Sequence, residues 1–544
     1  MRPSSRRLAR LGGLASLVVA LALASLLGAC AGQSASYTRF RRAADTGRVI
    51  ASREVRVADF VNRFAQDDAS PAVLDSATAS ALYVDARLAN PHLPREGATA
   101  LLGVTVRGLP RTVRASADLV IVVDVSGSMN EAGKITAVRH ALARMLESLD
   151  PADRVSIVTF SDEAHEALPM TSVASARPVI LEAIERLYAD GGTNIEAGLS
   201  KAVELARRAR STDTRVVFLS DGMATVGRTS HEEILRAVAP LSGMHVPLTT
   251  IGVGDAIDFE LLEDLARDHG GAFHFVDQPA EVERVFATYV RSLNEISARE
   301  VELRVTAPAG GRIVRVFDER ARLEEGGRGA RLSVGDLGAS DAYVALYELE
   351  VPAGFAPSAV PIEIRFRTID GVEEETVSQG APFGYDGTGV YELVDAREPG
   401  LCRAATMGYA AIGLLEAARA DERGDASSAE QWLRATLVSV QAAQRRLALT
   451  DPARAASLDE PVALLRRSHE AVAARLPARN DALAEAAPPV LVLAPSAQVI
   501  TPLPGLSAVP STEAVASPDG VNVVVVGAAP SSPSATSARF SGWR

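Results

Sequence analysis

The chain has 544 residues, 47% hydrophobic but only 5% aromatic, a length that suits about three packed domains plus tails. Its formal net charge of −12 disfavours a nucleic-acid partner, which would need a clustered basic surface. With two cysteines, one of them assigned to an anchor below, no intrachain disulfide is expected and stability must come from packing.

Residues 1–29 read as a leader. Arg2, Arg6, Arg7 and Arg10 make a cationic start, and 11–27 is a small-residue apolar run. The order Leu27-Gly-Ala-Cys30 resembles a bacterial lipobox, which makes Cys30 the acylated, palmitate-bearing first residue of the mature chain. A Sec signal with an incidental cysteine, or an uncleaved anchor helix, is the alternative, and Arg6-Arg7 also fits twin-arginine export. Loss of the leader removes four arginines and no acid, taking the formal charge to −16. No other apolar run approaches the roughly 18 residues of a membrane span. Ala31 stands where an aspartate would favour inner-membrane retention, so the expected location is the cell envelope, anchored in the outer membrane and facing periplasm or surface.

Residues 30–78 form a tether and a small helical segment. Tyr37, Phe40 and Arg41 recur at helical spacing before a stop at Gly47, and Phe60, Val61 and Phe64 repeat the pattern. Alternating runs at 82–88 and 101–107, split by a Pro/Gly-rich turn, predict antiparallel strands within 79–116.

From 117 to 297 the rhythm changes to strand, helix, strand, helix. Buried strands are predicted at 119–124, 154–160, 215–220, 246–253 and 272–276, with a short edge strand near 167–171. Helices are predicted at 134–149, 178–188, 195–210, 230–241, 259–268 and 280–297. Such alternation implies an α/β, doubly wound, mostly parallel sheet covered on both faces. In 298–398 the period returns to two, giving an antiparallel β-sandwich of about seven or eight strands if the two earlier strands join it. The α/β module is then an insertion.

A helical region follows at 399–480. Ser427-Ser-Ala-Glu430 reads as a capping box and Asp451-Pro452 as a helix start, and Trp432, Leu433, Leu437 and Val440 form an apolar stripe suited to packing. Residues 481–544, with nine prolines between Pro488 and Pro533, read as a disordered tail carrying one β-prone run, Val521-Asn-Val-Val-Val-Val526.

The chemistry gathers on three loops. The apolar run Leu119-Val-Ile-Val-Val ends at Asp124-Val-Ser126-Gly-Ser128, which puts one carboxylate and two hydroxyls at the carboxyl end of a buried strand, where open α/β sheets bind ligands. Gly191-Gly-Thr193-Asn194 supplies a third hydroxyl, and Ser220-Asp221-Gly222 a second carboxylate. Asp124, Ser126, Ser128, Thr193 and Asp221 then offer five oxygens and two negative charges to a hard divalent cation, with one coordination position open. Asn130 and Asp162 lie near the same edge.

This set, in this order, resembles the metal-ion-dependent adhesion site of von Willebrand factor A (VWA) domains over about 117–297. The resemblance implies that the serines and the threonine hold the metal directly or through water, and that a partner's carboxylate fills the open position. The layout of lipobox, N-terminal segment, VWA module and C-terminal domain is similar to the YfbK-type bacterial VWA lipoproteins. Val55-Arg-Val-Ala-Asp-Phe-Val-Asn-Arg-Phe64 and Val334-Gly-Asp-Leu-Gly-Ala-Ser-Asp-Ala-Tyr-Val-Ala-Leu-Tyr-Glu-Leu349 carry that likeness. The Gly191–Asn194 loop, nearer to animal VWA loops, and the Pro-rich tail depart from it.

No enzyme is expected. The eight histidines include no His-x-x-x-His or His-x-x-Glu-His spacing, only His165 falls near the site, and no phosphate-binding loop with lysine is present. The expected function is binding: a membrane-anchored envelope protein that uses Mg²⁺ (Mn²⁺ or Ca²⁺ as alternatives) to bind an Asp or Glu of a protein partner. The alternative is a metal-independent assembly or adaptor factor for a periplasmic complex.

Overall fold

The computed structural model describes residues 35–65, 81–109, 116–368 apart from 212, 255, 277, 279, 280, 295 and 340, then 374–385 and 398–476. The leader, Cys30 and the 481–544 tail with Val521–Val526 lie outside the described residues. Among the described residues, no helix is long and apolar enough to cross a membrane.

Two helices, α1 (Ala35–Asp45) and α2 (Val57–Val61), precede strands β1 (Leu82–Leu88), β2 (His92–Leu93) and β3 (Ala98–Gly108). The α/β module runs β4 (Ala117–Asp124), α3 (Lys134–Ser148), β5 (Arg154–Phe160), β6 (Ala164–Ser172), α4 (Val173–Glu185), α5 (Ile195–Arg208), β7 (Asp213–Ser220), α6 (His231–Gly243), β8 (Leu248–Val253), α7 (Phe259–Asp268), β9 (Phe273–Val276) and α8 (Val282–Asn294). Its sheet has the order β6-β5-β4-β7-β8-β9. Every residue of β4 is buried. Successive side chains of a strand face opposite ways, so Leu119, Ile121 and Val123 join Val138, Leu142 and Phe286 on one face. Val120 and Val122 join Leu199, Ile234 and Leu262 on the other. That two-sided burial explains why β4 reads as a continuous apolar run.

β6 is antiparallel to β5, because only residues 161–163 separate them and a parallel pairing needs a long crossover. Several predicted boundaries move. The 178–188 helix begins at Val173, with a bend at Ala176 (φ −139°, ψ 27°) just before Pro178, and ends at Glu185. β8 starts at Leu248, after Pro247, which has no N–H to give a ladder. The 280–297 helix stops at Asn294 because Ile296 already opens the next strand.

That strand, β10 (Ile296–Thr306), enters a sandwich with β11 (Arg312–Val316), β12 (Arg322–Leu323), β13 (Gly329–Gly338), β14 (Ala342–Val351), β15 (Ser358–Arg367) and β16 (Glu374–Tyr385). One sheet is β1-β3-β14-β11 and the other β12-β13-β10-β15-β16-β2. The two short strands β2 and β12 had no alternation to reveal them. The strands ahead of the module thus join those behind it. The chain leaves at Leu109 and returns at Ser297, whose Oγ donates to the Leu109 carbonyl at 2.6 Å.

Helices α9 (Pro399–Glu422), α10 (Ala426–Thr450), α11 (Pro452–Ala456) and α12 (Asp459–Ala473) complete the chain. They share one core with the N-terminal helices: Tyr37, Phe40 and Phe60 pack with Leu414, Leu433, Val462 and Leu465. Leu433 and Val440 are fully buried there with Trp432 and Leu437 against them, so the apolar stripe is a packing face. The expected capping box does not form. Asp425 caps α10 by accepting from Ser428 N at 3.0 Å, which leaves Glu430 to bond His469 Nε2 at 2.9 Å. Asp451 does cap α11, accepting from Arg454 N at 3.0 Å. Cys402 is buried and free, its thiol pushed up to about 11 by burial, which suits packing and not reactivity.

The N-terminal segment also ties the module to the sandwich. Arg56 Nε donates to Glu263 Oε1 of α7 at 2.6 Å, and the Val57 amide donates to Glu319 of the sandwich.

Candidate metal-ion site

All five predicted residues sit at the carboxyl edge of the parallel sheet, on the loops after β4 and β7 and before α5. Asp124 and Asp221 are fully buried, and Ser126 and Thr193 nearly so. The β4 loop folds onto its own carboxylate: Ser126 N donates to Asp124 Oδ1 at 2.8 Å. From there a chain of hydroxyls crosses the site. Ser126 Oγ and Ser128 Oγ lie 3.1 Å apart, and Ser128 Oγ donates to Asp221 Oδ1 at 2.7 Å.

Thr193 comes in on a loop that the β4 loop holds. Asp190 N donates to Val125 O at 2.7 Å, and Gly127 N to Gly191 O at 3.0 Å. Thr225 fixes Thr193 from the other side, its Oγ1 accepting from Thr193 N and its N donating to Thr193 O, both at 2.9 Å. A Cβ added at Gly222 would lie 3.9 Å from Thr193 Oγ1, so this hydroxyl faces the Asp221-Gly222 turn. Asn130 and Asp162 shape the same loop: Asn130 Nδ2 donates to Ala189 O at 2.7 Å, and Asp162 Oδ1 accepts from Gly192 N at 3.0 Å. Gly192 is required there, since a Cβ would fall 2.8 Å from that oxygen and 2.5 Å from Val226.

Two residues escaped the sequence reading. Ser220 Oγ donates to Asp124 Oδ2 at 2.6 Å, so each oxygen of that carboxylate has a donor. Lys134 Nζ lies 2.6 Å from Asp221 Oδ2 and 3.5 Å from Ser128 O. Ser220 was within reach of sequence reasoning, being a hydroxyl at a strand end beside an acid. Lys134 was not, because its approach depends on the turn at Ala132 (φ 50°) and Gly133 (φ 74°).

Burial pushes the Asp124 carboxyl up to about 6; hydrogen bonds from Ser126 and Ser220 oppose the shift and the Asp221 charge adds to it. Two buried carboxylates, with one ammonium on Asp221 alone, leave an uncompensated negative charge, and the remaining side chains of the site offer oxygens. Asp124, Ser126, Ser128, Thr193 and Asp221 therefore fit a hard divalent cation. His165 lies exposed on β6. A separate trio, His231, Glu260 and Asp264, brings ligand atoms within 4.8 Å of one another at the edge of α6 and α7. Two of its members are already engaged, His231 with Asp258 at 3.1 Å and Asp264 with Arg267 at 2.7 Å.

A covered parallel sheet with an acid-and-hydroxyl edge defines a class. Residues 118–288 match the family model of the von Willebrand factor type A domain, and the chain contains such a domain. As a class, these domains mediate protein–protein contact and commonly hold a divalent metal. Protein YfbK of Escherichia coli (strain K12) is 26% identical over 322 residues, covering 58% of this chain and 56% of YfbK. Inter-alpha-trypsin inhibitor heavy chain H4 of Homo sapiens is 33% identical over 163 residues, 28% of this chain and 17% of the heavy chain. The chain thus spans little more than half of one relative and under a fifth of the other. Among solved structures, a von Willebrand factor type A protein from Catenulispora acidiphila superposes with a TM-score of 0.54 at 16% identity, over 73% of this chain and 97% of that one. That likeness of fold extends past the VWA module, which occupies a smaller share of the chain.

Proposed function

We propose that the protein is a lipid-anchored cell-envelope binding protein whose VWA site holds Mg²⁺, with Mn²⁺ or Ca²⁺ as substitutes, and through it grips an Asp or Glu of a protein partner. The hydroxyl chain from Asp124 through Ser126 and Ser128 to Asp221 carries this reading, because it sets two buried carboxylates around one small oxygen-lined point. A bound divalent cation would neutralise that pair and keep a position for an outside carboxylate. Binding is the role these contacts support, with the serine hydroxyls tied to each other and to Asp221.

One observation favours a second reading, a metal-independent adaptor: Lys134 gives Asp221 a counter-ion from within the chain. One experiment separates the two. Thermal unfolding with Mg²⁺ and with EDTA, run beside affinity capture from the protein's own cells, is expected to show a Mg²⁺-dependent rise in Tm and EDTA-sensitive capture. Both should be lost in Asp124→Ala and Asp221→Ala variants that keep native circular dichroism. A partner retained equally in EDTA would leave the adaptor reading standing and end the metal-bridge one.

A further inference from the structure

Lys134 is the first residue of α3, and its side chain is only 14% exposed. The loop before it brings the chain round through two left-handed residues, Ala132 and Gly133. The side chain then runs over the end of β8. A Cβ at Gly254 would lie 3.6 Å from Lys134 Cε and 3.9 Å from Nζ, ordinary contact distances that put the end of the lysine beside this glycine. At its end the ammonium meets Asp221 Oδ2 at 2.6 Å, while Ser128 Oγ takes Asp221 Oδ1 at 2.7 Å. Both oxygens of this fully buried carboxylate are thus engaged within the protein, one of them by a positive charge.

A divalent cation at the five-residue set must approach that charge in a site with little water to screen it, and it must share Asp221 with it. We propose that Lys134 is a built-in counter-ion that competes with the divalent cation for Asp221 and so sets the metal affinity of the site. This rests on the reading of the five residues as a metal site. The ammonium has a second effect through linkage. Without it, Asp221 would be a buried charge with no cationic partner, which weakens the fold in the absence of metal and leaves more for the metal to restore. Competition and linkage act in the same direction. A lysine that merely held Asp221 in place for the metal would act in the opposite one.

The test is calorimetric titration of the full chain with Mg²⁺ alone at constant pH, paired with thermal unfolding in EDTA and in Mg²⁺. Lys134→Met keeps most of the side chain's length and apolar stem and removes the charge. It is expected to bind Mg²⁺ about tenfold tighter than the wild type or better, with a lower Tm in EDTA and a larger rise on adding Mg²⁺. Lys134→Gln, neutral but with a polar end, is expected to behave likewise and serves if the Met variant does not fold. Affinity unchanged or weakened in these variants, while the wild type binds Mg²⁺, overturns the lysine's role and leaves the metal site intact. No Mg²⁺ binding in wild type or variants overturns both. Asp221→Ala, expected to lose the titration altogether, confirms that any heat observed comes from this site.

Discussion

Asp124 and Glu263 are buried carboxyls with different support. Asp124 has a donor on each oxygen, whereas Glu263 has Arg56 on Oε1 and a buried Oε2 with no partner. Burial pushes Glu263 up to about 8; Arg56 opposes this, and Asp59 and Glu319 add to it. The consequence for stability has a definite sign. Between about 4.5 and 8 the unfolded chain has released this proton and the folded chain still holds it, so stability falls as pH rises through that window. The effect is on the order of a few kcal/mol. Glu263→Gln is expected to flatten the slope of urea-unfolding free energy between pH 5 and 8 relative to wild type; an unchanged slope would assign the titration elsewhere. The five residues proposed to hold the metal were legible in sequence because each stands at or near a strand or helix end, as an acid or hydroxyl on a loop at the sheet's carboxyl edge. Lys134 and the Arg56–Glu263 contact were not, since both depend on how distant segments meet.

Among the elements, α9 and α10 cross closely. A Cβ at Gly413 would fall 2.0 Å from Thr436 Oγ1. Thr436 is fully buried and its hydroxyl donates to Trp432 O at 2.7 Å, so it has little freedom to move aside. Gly413→Ala should cost about 1–3 kcal/mol through overpacking, read as a lower denaturant midpoint with unchanged m-value. At this scale the strands of the module were the most legible feature, because two-sided burial of β4 and β7 writes itself as unbroken apolar runs. Element ends were less so. The cap of α10 fell to Asp425 and not to Ser427, because Gly424 (φ 78°) had already turned the chain after α9. The antiparallel setting of β6 followed from a short loop, which apolar periodicity does not encode.

At the scale of the molecule, the sequence pattern distinguished helical, α/β and sandwich stretches, yet it could not tell that α1 and α2 share a core with helices more than 300 residues away. Tyr37, Phe40 and Phe60 have ring centroids 5.7–6.0 Å apart, and alone they form only a small cluster; the C-terminal helices cover it. The described chain therefore begins in a packed core a few residues after Cys30, which leaves a short tether if that cysteine carries the anchor. Cys30→Ser is expected to move the protein from the membrane fraction to the soluble fraction with its Mg²⁺ response intact. Equal partition of variant and wild type would refute the anchor.

The meeting of Leu109 and Ser297 also determines how a force applied to the VWA module would spread. β3 ends and β10 begins at the same rim of the sandwich, and they belong to opposite sheets. A pull on the VWA module is therefore divided at once between both sheets and runs along the strands. β3 resists it through ten residue pairs with β14 and seven with β1, and β10 through pairs with β13 and β15. Drawn lengthwise, these ladders bear the strain together as a shear joint and do not part pair by pair like a zip.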